Sequence, residues 1–254
     1  APRIALYKSW MASMDEGWTR WLFDFFGFEY KGVSNADIQA GNLKSKYDVI
    51  IFPDQQTNQI VNGYRKGAMP EEYAGGLGQN GIAAVKEFAS AGGTVLCFNH
   101  AAAFCAQDLG VDAKNVISGR VANANDEFGA GPGGGGRDNA GAGSAGEFYS
   151  PGSLLNVKLD LSNPLTRGLP ENITIWSEQS PAFTTSQDSV ATYPASDILA
   201  SGWLLGPKMI ASKTAIVDAK VGEGHVVLYG MRPQYRAQSY QSFKLLFNGL
   251  IAYQ

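Results

Sequence analysis

Two rhythms of apolar positions alternate along the chain. Arg3 to Lys8 reads as a strand, and Tyr47 to Pro53 as another that is almost continuously apolar, the pattern of a strand buried on both faces of a parallel sheet. Between them Trp18, Trp21, Leu22 and Phe25 recur at i, i+3, i+4 and i+7, which predicts a helix with one face on the core. Asp15 and Glu16 stand at its start, where negative charge suits the helix dipole and N-terminal capping. Phe28 to Val33 is a second strand and Asn35 to Ala40 a helical turn. Gly81 to Ala91 is a helix with Ile82, Val85 and Phe88 on one face, stopped by Gly92 and Gly93 before the strand Thr94 to Phe98. Further on, Ser153 to Leu161 alternates as a strand, and Lys213 to Val221 with His225 to Tyr229 form a hairpin through Gly222-Glu-Gly224. A last helix, Ser242 to Ala252, turns Phe243, Leu246, Phe247 and Leu250 to one side. Strands alternating with helices predict right-handed parallel crossovers and an α/β, doubly wound, mostly parallel sheet. No internal repeat or linker divides the 254 residues, so one domain is expected over 1–254.

Two segments depart from these rhythms. Residues 54–80 form a long connection containing six glycines or prolines, Gly63, Gly67, Pro70, Gly75, Gly76 and Gly78. Residues 129–146 carry 9 glycines in 18 positions and read as a loop insertion, because such a chain has much entropy to lose and little to bury. A phosphate-binding loop is the sharper alternative, but no GxxxxGK[ST] pattern occurs there.

Composition narrows the function. Hydrophobic residues at 44% supply a sizeable core, and a net charge of −3 without any Lys/Arg run argues against nucleic acid as a partner. No stretch approaches the roughly 20 apolar residues of a membrane span. The start at Ala1 suggests a processed protein or a piece of a longer one. The two cysteines, Cys97 and Cys105, read as buried free thiols.

In open α/β sheets ligands gather at the carboxyl ends of the strands. The residues that follow the predicted strands are therefore the candidates for a binding cleft: Trp10, Glu16, Asp54, Gln55, Asn99, His100, Arg232, Gln234 and Tyr235. The turn after Thr94–Phe98 is where a nucleophile elbow would sit, and it carries Asn99, a carboxamide, in place of Ser or Cys. Cys97 is the alternative nucleophile, although it lies within the apolar strand. Of the two histidines, His100 adjoins the elbow and either lines the cleft or caps the next helix. His225 opens its strand and falls at the opposite edge of the sheet. There is no HExxH and no HxxE after His100, so no metal site, no cofactor and no catalytic set are expected.

Several blocks carry a resemblance. Arg3-Ile-Ala-Leu-Tyr-Lys-Ser-Trp10, Met14-Asp-Glu-Gly-Trp-Thr-Arg-Trp21, Asn35 to Leu43, Tyr47 to Asp54, Met69 to Gly76, Ser201 to Gly206, Gly230 to Arg236 and Phe243 to Asn248 resemble the C-terminal region of bacterial zinc carboxypeptidase-like proteins. In that family a metallopeptidase domain precedes a class I glutamine amidotransferase-like, flavodoxin-like domain, and this chain resembles the second part. The resemblance implies a secreted or periplasmic accessory domain, with peptidase activity and zinc ligands in a separate domain. The amidotransferase Cys-His-Glu triad does not carry over: Asn99 stands at the nucleophile turn, and Tyr235 near the expected histidine. The leading expectation is a non-catalytic module that packs on a peptidase domain or binds peptide or glycan. An amidohydrolase using Cys97 and a self-assembling homo-oligomer, with contacts through 54–80 and 129–150, are the rivals.

Overall fold

The computed structural model describes residues 1–117 and 147–254; the glycine-rich stretch 129–146 lies outside them. β1 (Ile4–Tyr7) is buried at all four positions, as its uninterrupted apolar run requires. α1 (Met14–Phe26) follows, opened by Ser13, whose side chain accepts from the Glu16 amide. It is closed by Gly27 at φ 73°, whose N–H donates to the Phe23 carbonyl. Only a residue without Cβ takes that left-handed turn without strain. β2 (Tyr30–Val33), α2 (Asn35–Gln39), α3 (Leu43–Lys46) and β3 (Val49–Phe52) complete the first crossovers. The long connection contains a short helix, α4 (Thr57–Val61), before α5 (Gly78–Ser90), β4 (Thr94–Phe98) and α6 (Ala101–Asp108).

The second half is strand-rich. β5 (Ala113–Asn115), β6 (Ser153–Leu159), β7 (Asn172–Ser177), β8 (Phe183–Thr185), β9 (Asp188–Thr192) and β10 (Leu199–Ser201) precede β11 (Thr214–Val221), β12 (Gly224–Tyr229) and α7 (Tyr240–Ile251). The central sheet is parallel in the order β2-β1-β3-β4-β12. The hairpin's return strand β12 runs alongside β4, with Val226 opposite Val95 and Tyr229 opposite Phe98. Beyond it β11 turns antiparallel and begins an extension through β9, β6, β7 and β10, with β8 and β5 to one side.

The sheet's alternation builds two cores. On one face Leu6, Ile51 and Leu96 pack with Leu22 and Phe23 of α1 and Phe243, Leu246 and Leu250 of α7. On the other, Tyr7, Ile50, Phe52 and Val95 pack with Ile82, Val85 and Phe88 of α5 and Phe104 of α6. Helices on both faces make the sheet doubly wound, as the sequence pattern predicts. The extension is larger than the expected hairpin and the expected strand Ser153–Leu161: it adds β7 and β9 and the three-residue strands β5, β8 and β10, which are too short to show a period.

One expectation is corrected here. Cys97 on β4 and Cys105 on α6 are joined in a disulfide rather than left as free thiols. The bridge spans eight positions of sequence. Closing so short a loop stabilises by roughly 2–3 kcal/mol through the unfolded state. Replacing both cysteines with alanine therefore lowers the urea-unfolding free energy by about that much, and a reductant added to the native chain reproduces the loss.

Candidate functional site

The carboxyl ends of β1, β3, β4 and β12 converge on one buried polar network. Its centre is Asp54, two residues beyond β3. Asn99, the first residue after β4, adopts φ 50° and is fully buried. The turn is therefore a strained elbow, of the kind Asn tolerates better than most residues. Its amide donates to the carbonyls of Tyr229 (2.8 Å) and Met231 (3.2 Å), which bolts the elbow to the end of β12. Its side-chain Nδ2 donates to Asp54 Oδ2 at 3.0 Å. The other carboxylate oxygen, Oδ1, accepts from the His100 amide at 3.0 Å and lies 2.9 Å from His100 Nδ1. The neighbouring carboxylate makes Nδ1 the protonated, donating nitrogen, so the 3.0 Å approach of Asn99 Nδ2 to it is a contact only. Although His100 stands at the helix N-cap, its ring makes no capping bond and serves Asp54 instead.

Arg232 closes the network from the segment after β12. One guanidinium nitrogen is 3.5 Å from Asp54 Oδ2, and another is bonded to Glu178, just past β7. The guanidinium lies 4.3 Å from the centre of the Tyr235 ring, which stacks in turn on Trp176 at 4.7 Å and 11°. Asp15 enters from α1. Its Oδ2 accepts from the Asp54 amide at 2.8 Å, while Ser13 Oγ donates to the Asp54 carbonyl at 2.9 Å. Ser13 caps the helix and Asp15 reaches across to the sheet, which corrects the reading of Asp15 as a capping residue.

Each charge is displaced by its surroundings. Burial alone would raise the Asp54 carboxyl, but the bonds and charges of His100 and Arg232, with the Asn99 amide, outweigh it and hold the pKa below the ordinary value. Burial would lower His100, yet its bond to Asp54 and that carboxylate's charge raise it, favouring the imidazolium. Burial and then the charge of Asp54 push Asp15 up to about 7. Several buried oxygens here, Asp15 Oδ1, Asn99 Oδ1, Gln55 Oε1 and Gln234 Oε1, have no hydrogen-bond partner among the described residues.

Of the nine expected cleft residues, the structure brings Asp54, Asn99, His100 and Arg232 into direct contact, with Tyr235 beneath Arg232. Gln234 is buried and donates to Thr19 Oγ1 at 2.8 Å, and Gln55 is buried and donates to the Met11 carbonyl at 2.9 Å. Trp10 and Glu16 are not part of the network; they line a groove of about 340 Å³ at the ends of β1 and β2. Sequence reasoning missed Trp176, inside an undetected strand, β7, and Glu178, just past its end, although Ile173 and Ile175 alternate with polar residues there.

Cys97 is fully buried and disulfide-bonded, so it offers no thiolate, and the expectation of a Cys97 nucleophile is corrected. His225 does lie at the far edge, opposite Thr94 at the start of β4. It is more than a hairpin residue: Nδ1 is 2.8 Å from the buried Asp218, and the ring stacks on Tyr253 at 3.6 Å. Tyr253 also bonds Asp218, so this cluster pins the end of the chain to the sheet. Among the described residues no group of three or more His, Cys, Asp or Glu could hold a metal ion, and no helix is long and apolar enough to cross a membrane.

No protein-family model matches the chain, and no curated protein matches it by sequence. Solved structures do share its fold. PurLQS from Thermotoga maritima aligns over 100% of this chain and 99% of that one at 14% identity and a TM-score of 0.55. A putative GMP synthase subunit from Thermoplasma acidophilum aligns over 98% and 93% at 12% identity and a TM-score of 0.52. A ThuA-like protein from Bacteroides uniformis aligns over 97% and 89% at 12% identity and a TM-score of 0.50. The chain has a class I glutamine amidotransferase-like fold.

Proposed function

We propose that this chain is a non-catalytic binding domain of the glutamine amidotransferase-like fold, in which the catalytic turn has been converted into part of a charged cleft. The observation that carries the reading is Asn99. It occupies the elbow at positive φ, has no nucleophilic atom, and spends its side-chain amide on Asp54. The nearby cysteine is sealed in a disulfide. His100, the histidine beside the elbow, has its Nδ1 2.9 Å from Asp54, and the residue at the elbow offers it no hydroxyl or thiol to deprotonate. His100 and Glu178 are the partly exposed members of the network, and we assign to them the contact with a ligand, of the peptide or glycan class.

The same reading makes the chain an accessory domain of a zinc carboxypeptidase-like protein, exported from a bacterial cell. The sequence blocks named above support that association, and the disulfide supports an oxidising compartment. The test is hydrolysis: the purified chain is incubated with glutamine and the released ammonia is measured. No turnover above buffer is expected. Ammonia release that disappears in an Asn99→Ala or His100→Ala variant would overturn the proposal.

A further inference from the structure

The groove at the ends of β1 and β2 goes beyond that reading, because it lies outside the Asp54 network. Its wall holds Glu16, which is 8% exposed and whose buried Oε1 has no hydrogen-bond donor among the described residues. The nearest cation, Arg20, stands 3.8 Å away and is half exposed. That distance is an ion pair but too long for a hydrogen bond. Lys8 and Tyr30 line the same groove, and Trp10 borders it with nearly half its surface open. A buried carboxylate oxygen without a donor is costly and is relieved by a ligand that brings an N–H group. The cations beside it suit an anionic group on the same ligand. At about 340 Å³ the space fits a small molecule.

We propose that this groove binds the zwitterionic head of a free α-amino acid. The ammonium meets Glu16, the carboxylate meets Lys8 and Arg20, and the side chain lies along Trp10. An apolar aromatic side chain fits the exposed indole best.

The experiment titrates the full chain with three probes, L-phenylalanine, N-acetyl-L-phenylalanine and L-phenylalaninamide, following the Trp10 indole N–H by NMR and the heat of binding. L-phenylalanine binds and moves the Trp10 signal. Blocking either charge weakens binding by about tenfold or more, as loss of one charge-assisted contact requires. Glu16→Gln brings the affinity for L-phenylalanine down to that for the acetylated probe, and Arg20→Gln, at a half-exposed position, brings it down to that for the amide. Should Glu16→Gln fail to fold, the three probes on the unaltered chain and the Arg20→Gln variant decide the matter. Absence of any response to L-phenylalanine at millimolar concentration, or equal affinity for all three probes, overturns the proposal. Loss of the Asp54 cleft's role would leave these results unchanged.

Discussion

Asp54→Ala lowers folding stability by about 3–5 kcal/mol, the cost of leaving a buried charge without its partner. Asp54 takes four contacts at once, from Asn99 Nδ2, the His100 amide, His100 Nδ1 and, at longer range, Arg232. Removing the carboxylate leaves Arg232, itself mostly buried, with Glu178 as its remaining close ion-pair partner. It also frees the elbow from the tie that holds the side chain of Asn99. Urea unfolding measures the loss. Glu178→Gln, at a side chain more than a third exposed, is the control and costs about 1 kcal/mol or less. A small effect at Asp54 and a large one at Glu178 would place the centre of the network elsewhere.

The second large effect is a stability that falls as pH rises through neutrality. Asp15 has its pKa raised from 3.8 to about 7 by burial and by the charge of Asp54. Between those limits the folded chain binds a proton that the unfolded chain has released, so stability declines with rising pH by about 1.4 kcal/mol per unit for that group. His100 adds to the decline: its raised pKa gives stability that is present below about 6.5 and lost as pH climbs through the folded value. Asp54 and Asp218 act in the opposite sense. Burial would raise both, but their hydrogen-bond partners hold them low, so their contribution is present above about pH 4 and lost below it. Thermal unfolding followed across pH is expected to peak on the acid side, near pH 4 to 5. Asp15→Asn keeps an oxygen for the Asp54 amide while removing the titrating group. That variant flattens the neutral limb and is more stable than the parent at pH 8.

The sequence made much of this legible, for physical reasons that differ along the chain. The buried parallel strands announce themselves: Val49–Phe52 and Thr94–Phe98 are apolar or β-favouring at every position because both faces are covered. Their carboxyl ends then give Asp54, Asn99, His100 and Arg232 by position alone. Glu178 was not readable in the same way, because β7 was not recognised and nothing marked its end as part of the cleft. Asp15 was visible but assigned to the helix. A first-turn carboxylate looks the same in sequence whether it faces its own amides or those of a neighbouring strand. The disulfide was hidden for a similar reason: a strand cysteine and a helix cysteine eight residues apart meet only once the elbow has fixed the angle between them. Trp10 and Glu16 follow a strand as the others do, but the helix start turns them towards β2, into the separate groove.

The central claim is that the elbow carries no nucleophile and is tied into a charged network centred on Asp54, and the titration of His100 tests that network most directly. The chain has two histidines, so imidazole nitrogen shifts can be followed by NMR against pH and assigned with a His225→Gln variant. The account predicts that His100 titrates above the ordinary value of about 6.5, with Nδ1 the nitrogen that keeps its proton, on Asp54. A His100 that titrates below the ordinary value, or that carries its proton on Nε2 with Nδ1 bare, would contradict it.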